Sequence, residues 1–102
     1  MERRLKLQSE FENILSSRNV YYQPPASVKL LYPCIVYYKA GVRKYNANDG
    51  RYITTDQYEV TVIDRNPDSE IPNKILKYFP MCSIDRTFFS DNLNHSVFTL
   101  YY

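Results

Sequence analysis

The sequence predicts a single α+β domain, residues 1–102, in which a mainly antiparallel sheet carries two helices on one face. The chain has the length of one domain. Apolar residues recur at helical spacing near the start and again past the middle, and elsewhere the pattern changes to strands separated by turns. Helices that alternate with runs of hairpin-joined strands favour an α+β architecture, here in the order α-β-β-β-α-β-β.

The first predicted helix covers residues 3–17. Its apolar stripe has the spacing i, i+4, i+7 and i+8 and consists of Leu7, Phe11, Ile14 and Leu15. A short strand is predicted at 20–22, and the prolines that follow it end the strand because they lack amide donors. This exposed strand is a candidate for pairing with another subunit, as is the terminal strand 97–102.

A long β-hairpin is predicted from residue 34 to residue 64. Its strands are 34–45 and 52–64, and between them lie Asn, Asp and Gly residues that tolerate positive φ. In the returning strand the alternation places Tyr58, Val60 and Val62 on one face and Glu59 and Thr61 on the other. The outer part of this hairpin, residues 40–54, is predicted to project as an arm.

The second predicted helix follows a polar loop and ends at a proline. Asp68 or Ser69 is expected to cap it, and Pro72 is acceptable in its first turn. Its predicted buried stripe consists of Ile71, Ile75, Tyr78 and Phe79. Two further strands, 81–89 and 95–102, form a second hairpin that we expect to join the same sheet.

The residue chemistry offers little for catalysis, cofactors or metals. Cys34 and Cys82 lie in separate apolar strand-like segments, which predicts two reduced, buried and slowly reacting thiols. His95 is the single histidine, so a zinc site would lack its usual ligand pairs. No nucleophile, metalloprotease or nucleotide-binding motif occurs, and two glycines are too few for phosphate-binding loops. We therefore expect a protein that is not an enzyme.

The acidic segment that begins at Asp64 resembles the start of a calcium-binding loop. Asp64, Asn66 and Asp68 have the alternating spacing of such a loop. The sixth position is Ser69 where a glycine is needed, and the twelfth is Ile75 where a bidentate Glu is needed. These side chains are better explained as partners of free amides next to a helix. The sequence also lacks an apolar leader and any apolar run of the ~20 residues that a membrane span requires, so we expect the protein to fold in a cytoplasm.

One segment, residues 39–52, combines basic and aromatic side chains. The candidate interface residues are Lys39, Arg43, Lys44, Tyr45, Arg51 and Tyr52. Such a segment is compatible with a solvated hairpin tip, and also with a protein-binding arm, because Arg and Tyr are enriched at interface centres. A small nucleic-acid-binding or regulatory module remains a further alternative. The net charge of +2 is too small to demand a nucleic-acid partner.

Several runs of residues together resemble one family. They are YQPP at 22–25, YPCIVY at 32–37, YEVTVID at 58–64, RNPDSEIP at 65–72, FPMC at 79–82 and DNLNHSVFTLY at 91–101. From about residue 11 to residue 102 the chain is similar to the tail-completion or tail-terminator proteins of long-tailed phages and prophages of Gram-positive bacteria.

The resemblance implies a structural role. Members of this family form a ring, typically a hexamer, on the end of the tail tube that faces the head. The implied partners are other copies of the chain, the major tail-tube protein and a head-completion or connector protein, without a membrane or a specific nucleic acid. The implied location is the head–tail junction of the virion, after assembly in the host cytoplasm. The family has no catalytic residues to transfer onto this sequence.

Overall fold

Two helices and one five-stranded sheet make up the protein in a computed structural model that describes residues 2–102. The elements are α1 (Glu2–Leu15), β1 (Val20–Tyr22), β2 (Cys34–Asn46), β3 (Tyr52–Asp64), α2 (Ile71–Tyr78), β4 (Cys82–Ser90) and β5 (Leu93–Tyr101). This order confirms the predicted α+β class and the succession α-β-β-β-α-β-β.

The strand order in the sheet is β1-β2-β3-β5-β4. β1 runs parallel to β2, and every other neighbouring pair is antiparallel. β5 therefore pairs on both sides, and the expectation that 97–102 is an exposed edge is wrong. After β3 the connection through α2 skips the position next to β3 and leads to β4 at the edge. β5 then fills the skipped position between β3 and β4. The two edges of the sheet are β1 and β4.

Both helices pack on one face of the sheet, which we call the first face. Alternate residues of β3 point to it, so that Tyr58, Val60 and Val62 are buried there as predicted. They join the buried residues Leu7, Phe11 and Leu15 of α1 and Ile75 and Phe79 beside α2. Successive side chains of a strand point to opposite faces, so Glu59 and Thr61 lie on the other side of the sheet, which we call the second face. Residues opposite each other in an antiparallel ladder share a face, so the assignment extends to the neighbouring strands.

The ring of Phe11 lies at the centre of this core. Its centroid is 5.1 Å from that of Tyr37 and 5.5 Å from that of Phe79. The Tyr37 hydroxyl donates a hydrogen bond of 2.6 Å to Oε1 of Gln8 on the same helix. The same hydroxyl accepts a hydrogen bond of 3.3 Å from the Arg4 guanidinium, so α1 is attached to β2 by aromatic packing and by two partly buried polar contacts.

The helix ends differ from the prediction in physical detail. α1 ends at Leu15 instead of residue 17, because Ser16 adopts a φ of 57° that no α-helix continues. Tyr78 was predicted to be buried, yet 54% of it is exposed. α2 ends there, and the extended backbone of Phe79 (φ −103°, ψ 118°) turns the next ring into the core instead.

The predicted caps of α2 are also wrong. The residue at the N-cap is Glu70, which makes no side-chain capping bond. Ser69 instead accepts a hydrogen bond of 3.3 Å on its hydroxyl from the Ile71 amide. Asp68 does not cap the helix, and its own amide donates to Oδ1 of Asn66 at 3.0 Å.

The two cysteines are free thiols on opposite faces of the sheet. Cys34 is fully buried, as predicted, and pairs across the ladder with Ile63 of the second face. Cys82 is opposite Leu100 on the first face and is only partly buried. The prediction of burial is therefore wrong for Cys82, because β4 is an edge strand with solvent on its outer side.

The predicted hairpin arm is formed by the outer parts of β2 and β3. The last pair that β3 makes with β5 joins Gln57 to Tyr101. β2 and β3 continue as a two-stranded ribbon for five more pairs, from Val42–Asp56 to Asn46–Tyr52, which is about 17 Å of strand. The molecule is accordingly elongated, with extents of 50 × 25 × 22 Å.

A β-bulge lies at the base of the arm. Lys39 pairs with Tyr58 and Gly41 with Gln57, so Ala40 is an extra residue of β2 without a partner on β3. Such a bulge bends the strand and increases its twist. It also changes the alternation, because residues 35, 37 and 39 point to the first face whereas residues 41, 43 and 45 point to the second.

Candidate protein interface

The structure divides the six predicted interface residues between the two faces of the arm. Lys39, Lys44 and Tyr52 lie on the first face, whereas Arg43 and Tyr45 lie on the second. Arg51 lies in the turn at the tip, next to Gly50, which takes a φ of 84°. The residues therefore form two small surfaces and a tip, not one basic patch.

Two of the four basic side chains are paired with acids. Nζ of Lys39 is 3.3 Å from Oδ1 of Asp56. The guanidinium of Arg51 pairs with Asp49, whose pKa is lowered by that hydrogen-bonded arginine. These contacts offset the charge that the sequence concentrates in the arm, which weakens the case for nucleic-acid binding.

The other two basic side chains lie over tyrosine rings. The guanidinium carbon of Arg43 is 5.7 Å from the ring centroid of Tyr45 and 5.4 Å from that of Tyr101. Nζ of Lys44 is 4.3 Å from the ring centroid of Tyr52. Cation–π contacts of this kind hold long side chains in place at an exposed site. Arg43 thereby becomes a fixed cationic group at the base of the arm, beside a shallow notch of about 350 Å³ that Met81 and Ser83 also line.

The β4 edge is a surface that the sequence reasoning missed. Apart from the partly buried Cys82, every residue of β4 is exposed, including Ile84 (43%), Phe88 and Phe89 (65%). A long edge strand with exposed apolar residues can pair with another strand. The signal in the sequence was the β-favouring run that ends in Phe88-Phe89, but only the strand order shows that this run is an edge.

The arm supplies a second unpaired edge on the opposite side of the sheet. β1 covers only residues 35–37 of β2. Within residues 2–102 no strand lies beside the outer edge of β2 from Tyr38 to Asn46. The short β1, which the sequence identified as a candidate edge, thus leaves most of β2 available.

The second face carries two carboxylates that accept hydrogen bonds from neighbouring hydroxyl groups. The hydroxyl of Tyr38 donates to Glu59, and this hydrogen bond raises the pKa of the tyrosine. The hydroxyl of Thr99 donates to Oδ2 of Asp85 at 2.6 Å. Carboxylates therefore lie on the second face near the base of the arm.

The cysteines, the histidine and the acidic turn that the sequence singled out lie in ordinary structural surroundings. Burial raises the pKa of Cys34 to about 12 and that of Cys82 to about 11, which keeps both thiols protonated at neutral pH. His95 is stacked on Phe88, with ring centroids 4.5 Å apart. The Asp64 carboxylate accepts a hydrogen bond from the Asn66 amide at 3.0 Å, which is a turn contact.

Residues 2–102 contain no group of three or more His, Cys, Asp or Glu side chains that could hold a metal ion. Neither helix has the length and hydropathy needed to cross a membrane.

Comparison of the chain with protein-family models, with curated protein sequences and with solved structures gave no match. The strand order and the registers leave four surfaces exposed for contact with a partner. They are the two unpaired strand edges, the projecting arm and the second face of the sheet.

Proposed function

We propose that this protein is a structural, non-enzymatic virion component that closes into a ring, caps a phage tail tube and joins it to the head. The observation that carries the proposal is the presence of two unpaired strand edges on opposite sides of one sheet. A closed ring needs a heterologous interface, in which one patch of each subunit meets a different patch of the next. A sheet with one available edge on each side meets that requirement.

The tip of the arm, residues 47–52, is assigned to a partner outside the ring, whereas the outer β2 edge of the arm serves the ring. The arm extends beyond the body of the domain, and its tyrosines and basic side chains are largely exposed. Tyr and Arg suit interfaces because they present large, amphipathic contact areas. We assign the tip of the arm to contact with the tail-tube protein, and the remaining end of the ring to the head-completion or connector protein.

The resemblance of the sequence to tail terminators supplies the biological setting of this proposal. It accounts for an aromatic-rich domain that exposes two strand edges and an arm and whose thiols have raised pKa values. The ring is taken to be a hexamer, assembled in the host cytoplasm and retained at the head–tail junction.

Deletion of the gene from the phage or prophage that encodes it tests the function. The expected result under the electron microscope is filled heads and separate tails, some of them of uncontrolled length, with joining restored by the wild-type gene in trans. Normal, infectious, head-joined particles from the deletion strain would contradict the proposal.

A salt-titrated DNA-binding assay distinguishes the alternative. A nucleic-acid-binding module would lose affinity steeply as salt rises, because bound Lys and Arg side chains release counterions from the phosphates. We expect no binding of that kind at physiological salt. Sequence-specific binding by the arm would favour the regulatory alternative instead.

A further inference from the structure

We propose that β4 of one copy pairs with the outer edge of the β2 arm of the next copy, as antiparallel strands, so that the sheet continues from subunit to subunit. This inference rests on the proposed ring and names its interface. It involves two segments, residues 82–90 and residues 38–46.

The directions of the strands favour this pairing. From β2 to β3, from β3 to β5 and from β5 to β4 the chain direction reverses each time. β4 therefore runs opposite to β2 within one subunit. Rotation of a second copy about a ring axis preserves the strand directions, so its β4 arrives antiparallel to the β2 edge of the first copy.

The lengths of the two edges also match. β4 has nine residues, and the part of β2 that β1 leaves uncovered, 38–46, has nine as well. Pairing over the full length places Tyr38 opposite Ser90 and Asn46 opposite Cys82. Each strand contains one bulge, at Ala40 in β2 and at Asp85 in β4, so the number of residues between the ends stays equal.

In this register the faces of the two copies coincide at both ends of the pairing, whereas between the two bulges residues 41–42 and 86–87 lie on opposite faces. Lys44 and Ile84 both belong to the first face and become neighbours. Lys39 and Phe89 likewise share the first face, where the ring of Phe89 can receive the ammonium group. The second bulge restores the alignment of the faces that the first one changes, so the side chains agree at either end of the pairing, where a one-residue slip would turn them to the wrong side.

A charge pair forms on the second face. The register places Arg43 opposite Asp85, the one acid of β4. The Asp85 carboxylate accepts a hydrogen bond from Thr99 and retains lone pairs for a guanidinium. Arg43 is already held in place by two tyrosine rings. The arm edge contributes only basic charges, whereas β4 contributes this acid together with Arg86, which the register places opposite the uncharged Val42.

The resulting stagger is compatible with a closed sheet. Through the ladders Cys82 is level with Leu100, Tyr58 and Lys39 of its own copy. Pairing with Asn46 of the next copy moves it by the distance from Tyr58 to Tyr52, six residues or about 20 Å. The four strand spacings from one β2 to the next span about 19 Å. The implied strand tilt is about 45°, at the upper end of the range that closed barrels adopt.

Cysteine cross-linking tests the register. The Asn46→Cys variant places a new thiol opposite the native Cys82 of the neighbour, at about the 5.5 Å Cα separation of a paired residue, which a disulfide can bridge. Mild oxidation of assembled tails, and of the purified protein, should give a ladder of covalent dimers, trimers and higher species that disappears with reductant.

Two control variants locate the bond. Asn46→Cys combined with Cys82→Ser should lose every species above the dimer, because Cys34 is fully buried and only the symmetric bond between two introduced thiols remains available. Asn48→Cys, in the turn beyond the strand, should give no ladder. A lone dimer band from Asn46→Cys in assembled tails, or no band at all, would overturn the pairing.

A charge exchange tests the same contact without a disulfide. Arg43→Asp and Asp85→Arg should each raise the protein concentration needed for assembly roughly tenfold or more, because each places like charges opposite one another. The double variant should recover most of the loss. Equal loss in the double and single variants would contradict the pairing.

These outcomes separate the interface from the proposed function. Tails that stay separate from heads after gene deletion, together with a failed cross-link, would retain the function and remove this interface. A covalent ladder together with normal particles from the deletion strain would retain the interface and remove the tail role.

Discussion

Replacement of Phe11 by Ala tests the core that joins α1 to the sheet. Phe11 is fully buried and packs edge-on against Tyr37, and its other neighbour ring is Phe79. Removal of a buried Phe side chain costs about 3–5 kcal/mol through lost burial and the remaining cavity. That is a large part of the roughly 5–15 kcal/mol by which a domain of this size is stable.

The expected shift of the melting temperature follows from the chain length. Unfolding entropy of about 2.1 cal/mol/K per residue amounts to about 0.21 kcal/mol/K for this chain, so a loss of about 4 kcal/mol lowers Tm by about 19 °C. Calorimetry and urea titration both measure the effect. Phe11→Leu, which keeps most of the apolar volume, should cost about 1.5 kcal/mol and serves if the Ala variant does not fold.

Leu5→Ala is the matched control on the same helix. Leu5 is half exposed, and its replacement should change stability by no more than about 0.5 kcal/mol. A loss of less than about 1.5 kcal/mol for Phe11→Ala, or equal losses at both positions, would refute the packing of α1 described above.

Three other expectations can be measured directly. Tyr37→Phe should cost about 1 kcal/mol in a urea titration, because the buried hydrogen bond to Gln8 is lost, and an unchanged midpoint would contradict that contact. Thiol labelling of the native protein at pH 8 should be slow, and Cys82 should react before the more buried Cys34. Both labelling rates should rise about tenfold per pH unit, because the raised pKa values keep the thiolates scarce. Rapid labelling of both thiols would contradict this expectation. The triple replacement of Arg43, Lys44 and Arg51 by Ala should leave Tm nearly unchanged, since exposed charges contribute little to stability, yet it should weaken assembly into tails. Normal assembly of that variant would remove the arm from the mechanism.

The sequence predicted those features that local periodicity determines. The alternation of Tyr58, Val60 and Val62 identified the buried face of β3, and the spacing of Leu7, Phe11 and Leu15 identified that of α1. Strand order was not predictable, because the place of β5 between β3 and β4 depends on how far the α2 connection carries the chain.

The candidate site was predicted less well because it depends on the bulge. Simple alternation along β2 would place Lys39, Arg43 and Tyr45 on one face. The extra residue at Ala40 separates Lys39 from the other two. Burial of Tyr78 was expected from helical spacing, but the helix ends at that residue and its neighbour occupies the core.

The bulge also gives the arm a tolerance to changes in chain length. Ala40 is exposed and is the one residue between Cys34 and Asn46 that has no partner on β3. Its deletion would leave Gly41 directly after Lys39, with each later residue still opposite its present partner and on its present face. What would change is the bend, because a strand without a bulge is straighter. Insertions and deletions at this position could therefore redirect the arm in the course of evolution while the hydrophobic core stays the same.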